Sequence, residues 1–501
     1  MSAGLAARVL TRGESIAARY DVRPYDKTPV PTARELHLLN RFGAGYTPQS
    51  LRQLRRAGSA RKWFLLQLTP GKVTENPVAA SLDSWFPALA WPAATKDAKN
   101  RSGEYGSWEH ARDLGNLSVL RRMLSNRQVL EQMTDFWSNH LHVPAGYDYA
   151  WVQRKSYDEV IRRNALGSFE TLLLQATLHP AMQYYLDNWR SVKNAPNENH
   201  GRELLELHTV GRTAGYTEQM VKDSAKILSG YSVYKTTHET FYDLDRHTTG
   251  AVKVLGFTHA NANPDGRAVT VAYLKYLAHH PATAKRIARK LAVRFVSDNP
   301  SEALVNRLAA VYLKNGTQIK PVLKALIEEA EFWGARDKKV RTPYDDLVAT
   351  CRSLAIAPRK PTNGESFANA LAWVHGAVLV YQWPAPDGAP EDAASWTSVS
   401  RMLSSFRYHW VLSGGWWPTR DVGYRKPASW LPQTQLRLDE FVDHLSRVWL
   451  GRRSTPQLLQ AVCQAVDESP GAIINASHAV ITWKFPRLST VFFDSPKHMS
   501  R

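Results

Sequence analysis

Apolar residues recur at intervals of three and four over most of this chain, which is the spacing of one face of an α-helix. The pattern predicts a helix over residues 33–41 that Thr32 caps, and another that starts at Pro48 after the cap Thr47 and runs to residue 57. Further helices are predicted over residues 159–176, 217–228, 269–278, 282–296, 302–313, 320–331, 438–450 and 455–466. Their succession predicts a mainly α-helical fold, a large multi-helical body of packed helical hairpins with a few short strands.

Strand-like patterns are short. The strand evidence is limited to residues 231–235 and 251–255, and these two patches flank a segment with Asp243, Asp245 and His247. We expect these two strands to form a small hairpin. The Asp/His segment is interpreted as a turn in which aspartate side chains accept hydrogen bonds from backbone amides, rather than as a metal site.

The chain has 501 residues, more than one typical domain, and its 44% apolar content is ample for a core. No Gly/Ser-rich linker divides it. We predict an N-terminal extension over residues 1–32, a main helical region over 33–350, and a C-terminal helical region over 351–501 with Trp/Pro-rich loops, packed on the main region. The two cysteines, Cys351 and Cys463, have neither the spacing of a zinc site nor that of a disulfide framework.

The longest apolar stretches bear on localisation. The first twenty residues scatter charged side chains such as Arg8, Arg12 and Glu14 among short apolar patches, without the continuous apolar core of a secretory signal. Residues 370–381 are too few for a membrane span and include His375. These features predict a soluble, cytoplasmic protein without a membrane span, with export alongside a partner as the open alternative.

The formal net charge of +19 favours contact with polyanions. An acidic polymer or polysaccharide is the partner that this charge suggests first, and a protein partner is the alternative. Basic side chains cluster at residues 52–62 and again, at helical spacing, at residues 285–294. Nucleic acid is a minor hypothesis, because no helix-turn-helix, zinc-finger or RNA-recognition signature accompanies these clusters.

Residues 197–211 concentrate most of the candidate chemistry. At helical spacing Asn199, Arg202, Glu203 and Glu206 share one stripe. One interpretation is an exposed face on which Arg202 and Glu206 neutralise each other. The other is a site, because two neighbouring carboxylates repel, so that burial raises one pKa and leaves the other group ionised.

The site interpretation assigns roles to individual residues. Glu203 or Glu206 is the predicted general acid or base, and His208, near the end of the helix before Gly211, is predicted to assist proton transfer. Predicted substrate-binding residues are Asn197, Asn199, Arg202, His140 and Trp137. No metal and no cofactor are predicted, although His140 and His142, two apart on a strand, are an alternative pair of ligands together with Glu203, Glu206 or His208.

Several segments also resemble a known family. The run Asn197-Glu-Asn, Arg202-Glu-Leu-Leu-Glu-Leu-His-Thr209 and Gly215-Tyr-Thr217 is similar to the signature of the domain-of-unknown-function 1800 family of bacterial proteins. Similar segments start at Leu36, Phe136, Arg162, His179, Leu255, His280 and Trp383, so the resemblance covers the chain from about residue 33 to its end. The chain departs from the family pattern at Ala389, where a tyrosine is usual, and at His142. The resemblance implies no particular reaction.

Two hypotheses about function remain. The first is a hydrolase that uses carboxylate and histidine acid–base chemistry on a carbohydrate or other polymeric, anionic substrate, with tryptophans such as Trp416 and Trp417 as faces for sugar rings. The second is a non-catalytic helical binding or scaffold protein that docks an anionic polymer or a partner protein. Serine esterase, nucleotide hydrolase and Rossmann oxidoreductase are disfavoured because their motifs are missing from the sequence.

Overall fold

The computed structural model describes residues 20–374, 376 and 380–501. Helices dominate this part of the chain, and its strands occur as short two-stranded sheets, so the predicted mainly α-helical fold is confirmed. Most of the N-terminal segment that bears on secretion, and His375 with residues 377–379, lie outside the described residues. Within them, no helix is long and apolar enough to cross a membrane.

The chain divides into two compact units. The terminal unit consists of the described parts of residues 1–64, 336–377 and 393–501, and the central unit of residues 65–335 and the described part of 378–392. Each therefore joins segments that are distant in the sequence. The predicted regional division at residue 350 stays a prediction.

The α-helices of the terminal unit come from all three of its segments. They are α1 (Ala33–Phe42), α2 (Pro48–Arg56), α18 (Pro343–Ser353), α19 (Phe367–Val374), α20 (Ala393–Trp396), α21 (Val399–Gly414), α22 (Leu438–Trp449), α23 (Pro456–Val466), α24 (Ala479–Thr482), α25 (Phe485–Phe493) and α26 (Pro496–Met499). Helix α3 (Ala60–Gln67) contains the division at residue 64.

The other α-helices of the described residues lie in the central unit. They are α4 (Pro77–Ser81), α5 (Ala93–Arg101), α6 (Ser107–Leu124), α7 (Gln128–His140), α8 (Arg154–Asn164), α9 (Phe169–Thr177), α10 (Pro180–Tyr185), α11 (Glu198–Glu203), α12 (Glu218–Leu228), α13 (Arg267–His279), α14 (Pro281–Phe295), α15 (Glu302–Lys314), α16 (Ile319–Glu328) and α17 (Ala330–Gly334). A π-helix, Leu204–His208, continues α11.

The caps that the sequence predicts are present. Thr32 accepts a hydrogen bond from the backbone N–H of Glu35, whose carboxylate accepts one from the backbone N–H of Thr32. Thr47 caps α2, which has Pro48 in its first turn. These local side-chain contacts satisfy backbone amides that have no partner within the helix.

Two predicted helices are each interrupted. The helix predicted over residues 159–176 is wrong, because α8 ends at Asn164 and α9 begins after the cap Ser168. The backbone beside Ser168 bonds instead to residues 317–319, with Phe169 N–H donating to the Thr317 carbonyl at 3.0 Å. The helix predicted over residues 320–331 likewise breaks at Glu329, between α16 and α17.

The strands form antiparallel pairs. In the central unit β1 (Tyr231–Val233) pairs with β2 (Thr240–Tyr242), and β3 (Val252–Val254) pairs with β4 (Phe257–His259). The expected single hairpin of residues 231–235 with 251–255 is therefore wrong, since each of these strands has another, nearer partner. In the terminal unit β5 (Ala357–Pro358) pairs with β6 (Val422–Gly423), and β7 (Gln435–Arg437) with β8 (Ile473–Asn475).

Candidate functional site

The candidate segment, residues 197–211, lies in the central unit and is called the glutamate motif below. Its helical geometry changes from an α-helix to a π-helix. Asn197 caps α11 by accepting a hydrogen bond from Asn199 N–H at 2.9 Å. After Glu203 the chain widens into the π-helix that ends at His208, and the Thr209 hydroxyl donates to the Leu204 carbonyl at 2.6 Å. Single π-turns inside helices often occur at functional sites. Glu203 and Glu206 therefore lie on either side of this transition.

A close approach to α12 holds α11 in place. A Cβ atom on Gly201 would lie 2.8 Å from Ala225 N and 3.1 Å from Val221 O, both backbone atoms of α12. The Ser224 hydroxyl also donates to the Gly201 carbonyl at 3.2 Å. The helix that carries Glu203 can pack at this distance because Gly201 has no side chain.

Glu203 is the unpartnered acid of the motif. Its side chain is half-buried, and no donor in the described part of the chain hydrogen-bonds its carboxylate. Burial and then the nearby Glu206 carboxylate raise the pKa of Glu203; Asp387 acts in the same direction, while Arg202 opposes it. A carboxyl group in such a position holds a proton more readily than an exposed glutamate does.

Glu206 has a different environment. Arg212 Nε donates to Glu206 Oε1, and Tyr216 OH donates to Oε2 at 3.0 Å. Both oxygens of Glu206 are therefore held by side-chain donors. The two glutamates of the motif thus differ, since Glu206 is held by charged and neutral donors and Glu203 is not.

Arg202 does not neutralise Glu206, as the exposed-face interpretation required. Its guanidinium donates to Glu218 at 2.8 Å and 2.5 Å, and it lies 3.6 Å from Glu198. Arg202 therefore ties α11 to the start of α12. The side chain of Glu206 is left to Arg212 and Tyr216.

The histidines near the motif are buried. His140 Nε2 donates to the backbone carbonyl of His208 at 3.0 Å, while Nδ1 of each of these two rings has no hydrogen-bond partner among the described residues. Burial lowers the pKa of His208 to about 3 and that of His140 well below its usual value. His200, on α11, is also fully buried, and burial lowers its pKa to about 3. These rings are neutral at pH 7 and pack within the unit.

The remaining predicted binding residues differ in exposure. Trp137 is fully buried; its Nε1 donates to the Ala165 carbonyl at 2.9 Å, and its ring stacks on Phe169. It presents no face to a ligand in this structure. Asn199 is exposed, whereas Asn197 is partly buried as the cap of α11.

The alternative metal ligands do not converge on an ion site. His142 Nε2 donates to the Trp383 carbonyl at 2.8 Å, just as His140 uses Nε2 for a backbone carbonyl. Asp243 accepts from Asp245 N–H at 2.9 Å, which confirms the predicted aspartate turn. His247 is buried, with Nε2 2.9 Å from Asn261 Oδ1.

Distant residues complete the surroundings of the motif. Arg286, on α14, donates from Nε to the Leu207 carbonyl at 3.1 Å, and its Nη1 would lie 2.8 Å from a Cβ on Gly211. Lys290 lies one turn further along α14. Burial, and then the positive charge of Arg286, lower the pKa of Lys290 to about 8. The carboxylates of Glu391 and Asp387 act in the opposite direction. Both basic residues belong to a cluster at helical spacing, but nothing in the sequence indicates that they face the glutamate motif.

A large cavity lies elsewhere in the central unit. Its volume is about 670 Å³, and Trp91, Lys96, Lys155 and Glu159 are among its lining residues. Glu203 and Glu206 do not line it. In the terminal unit Trp416 and Trp417 are exposed, which leaves the hypothesis of sugar-facing rings open there.

The comparisons identify a family and no activity. A family model described as "Protein of unknown function (DUF1800)" matches residues 37–500. No curated protein and no solved structure matches the chain.

Proposed function

The chain belongs to the DUF1800 family of proteins of unknown function, and we propose that it is a hydrolase of a carbohydrate or other polymeric, anionic substrate. In this proposal Glu203 is the general acid and Glu206 the general base. The observation that carries it is the unlike environment of two glutamates one turn apart. Pairs of carboxyl groups in unlike surroundings, one of them with a raised pKa, are typical of acid–base catalysis.

Each of the two glutamates transfers one proton in the proposed reaction. The Glu203 carboxyl group gives its proton to the leaving-group oxygen as the bond between that oxygen and the substrate carbon breaks. The Glu206 carboxylate takes a proton from a water molecule, whose oxygen forms the new bond to the carbon. Both carboxyl groups then regain their starting protonation states by exchange with solvent. Arg212 and Tyr216, which bond to Glu206, orient its oxygens.

Basic groups support the anionic class of substrate. Arg212 is 80% exposed at its side chain, and Arg202 is 34% exposed, so both are open to solvent beside the glutamates. Arg286 and Lys290 add positive charge from α14. Positive groups around a site attract anionic substrates and raise their local concentration.

His208 has a positioning role in this proposal instead of the predicted role in proton transfer. Its ring is fully buried, and its carbonyl oxygen accepts the hydrogen bond from His140. That bond fixes the end of the π-helix that contains Glu206. His140 and His208 thus support the backbone of the site.

The test is a screen of hydrolysis on neutral and acidic polysaccharides and on polymeric esters, with release of new ends as the signal. Glu203→Gln and Glu206→Gln should each lower the rate on any substrate found by about a hundredfold or more. Glu198→Gln, a change in the same helix, is the matched control and should stay within a few fold of wild type. Full activity in both site variants would refute the assignment.

The alternative is a non-catalytic protein that binds an acidic polymer or a partner protein. The burial of His140, His208 and Trp137 favours it, since these parts of the motif act in the core. Binding to an acidic polysaccharide at low salt, equal in wild type and Glu203→Gln and accompanied by no turnover, would support this function over the hydrolase.

A further inference from the structure

A cluster of potential metal ligands lies in the terminal unit, away in sequence from the glutamate motif. Asp346 is on α18, His409 on α21 and His498 on α26, the last short helix of the chain. The side chains of Asp346 and His409 are completely buried, and that of His498 is 3% exposed. Nothing in their sequence spacing predicted that they meet.

The three side chains direct single atoms at one point. Asp346 Oδ1 lies 3.2 Å from His409 Nε2 and 3.3 Å from His498 Nε2, and the three atoms all lie within 4.8 Å of one another. Ligands at about 2.0–2.1 Å from a tetrahedral ion are separated from each other by about 3.3–3.4 Å. The two separations from Asp346 Oδ1 therefore match those of ligands that share an ion.

An outer shell orients these groups. The opposite nitrogen of His409, Nδ1, lies 2.7 Å from Asp494 Oδ1, which is the carboxylate–imidazole pairing typical of metal-binding histidines. The second oxygen of Asp346, Oδ2, accepts hydrogen bonds from Ser405 at 2.9 Å and from Tyr408 at 2.5 Å. Oδ1 is thereby directed at the two imidazoles.

We propose that Asp346 Oδ1, His409 Nε2 and His498 Nε2 bind one divalent transition-metal ion of the zinc class. Two imidazoles and one carboxylate suit first-row divalent metals rather than Ca²⁺ or Mg²⁺. The Thr350 hydroxyl lies 3.0 Å from His498 Nε2, close enough to serve as a further ligand or to hold a water ligand. The ion would join three helices that are far apart in the sequence, so it is a structural site. This inference departs from the expectation of no metal and does not depend on the proposed hydrolase.

The competing arrangement places a proton where the ion would be. A protonated His409 would bridge Asp346 and Asp494, and Arg401, whose Nη2 lies 3.3 Å from Asp346 Oδ2, would add positive charge. Such a network satisfies the same atoms without metal. The two arrangements differ in a measurable quantity, the metal content of the pure protein.

The experiment uses the full chain, produced without an affinity tag in zinc-supplemented medium. We expect about one equivalent of metal per chain by mass spectrometry, and a rise in melting temperature when Zn²⁺ is returned to protein stripped with a chelator. His498→Gln and Asp346→Asn should lose at least nine-tenths of the metal. His478→Asn, a change at a helix cap of the same unit where asparagine can serve equally, is the control and should retain it.

A measurement on the wild type alone guards against variants that do not fold. X-ray absorption at the zinc edge should show two imidazole ligands and no sulfur ligand. Less than a tenth of an equivalent of metal, with no effect of added Zn²⁺ on melting, would overturn the proposal in favour of the proton-bridged network. Full metal content in folded His498→Gln and Asp346→Asn would also overturn it.

Discussion

Replacing Gly201 with alanine tests how closely α11, the helix that carries Glu203, packs on α12. The new Cβ would lie 2.8 Å from Ala225 N, 3.1 Å from Val221 O and 3.2 Å from Ala225 Cα. All three are backbone atoms of α12, so no side chain can swing away and the helices must separate. Overpacking of this kind costs about 1–3 kcal/mol, and we expect the upper end here because backbone has to move. The better helix propensity of alanine offsets about 1 kcal/mol, which leaves a net loss of about 2 kcal/mol.

The matched control is Gly334→Ala. Gly334 also lies in a helix of the central unit, but a Cβ atom there would have no neighbouring atom within 4 Å. That variant should be as stable as wild type or more stable by up to about 1 kcal/mol. The assay is urea unfolding followed by circular dichroism, with hydrogen exchange over residues 198–228 to locate the change. If Gly201→Ala proves as stable as Gly334→Ala, the close packing of α11 on α12 is wrong.

Two further substitutions and one change of pH should alter the stability of the protein in defined ways. Because the pKa of Glu203 is raised in the folded protein, the protein loses stability as pH rises from 4.5 through that pKa. Glu203→Gln should therefore melt at or above the wild-type temperature at pH 7 and show no such advantage below pH 4.5. A clearly lower melting temperature at pH 7 would contradict this expectation. Burial keeps the rings of His200 and His208 neutral in the folded protein, whereas their unfolded pKa is 6.5. The stability that depends on these neutral rings is complete above pH 6.5 and is lost as pH falls towards 3. Each ring should therefore lower the free energy of unfolding by about 1.4 kcal/mol at pH 5.5 relative to pH 8. Equal urea midpoints at the two pH values would contradict this pH dependence. Trp137→Phe should lower stability by about 2 kcal/mol through the lost bond to Ala165 and the lost ring volume, whereas a surface ligand-binding role would leave the melting temperature unchanged.

Local signals predict much of the fold. Caps such as Thr32 and Thr47 act on amides within three residues, so the sequence contains all the partners. The break between α8 and α9 is not predicted because its cause is distant: residues 167–169 bond to residues 317–319. Apolar spacing continues through the break and gives no sign of that pairing.

The candidate site is predictable only in its own segment. The sequence places Glu203 and Glu206 one turn apart, and the structure gives them unlike surroundings. The partners of Arg202 and Glu206 depend on where the chain turns after Gly211, which spacing does not reveal. Arg286 and Lys290 approach from α14, and Asp387 from the separate segment of the central unit, so no local pattern links them to the motif.

The cluster proposed to bind metal shows the same limit more strongly. Asp346 and His409 are 63 residues apart in the sequence, without the close spacing of a metal-binding motif. Only the packing of α18, α21 and α26 brings these groups together. Short motifs therefore favour His140 and His142, whose Nε2 atoms bond to backbone carbonyls instead.

The central claim is that the surroundings of Glu203 raise the pKa of its carboxyl group above that of an exposed glutamate, and a titration tests it without a known substrate. The protein would be labelled with carbon-13 at the glutamate side-chain carboxyl groups, and the Glu203 signal identified by its absence from Glu203→Gln. We expect the Glu203 signal to titrate above the usual glutamate value of 4.5 and to shift downward in pH in Glu206→Gln, because the neighbouring negative charge is gone. Titration of Glu203 at or below 4.5, unaffected by Glu206→Gln, would contradict the claim.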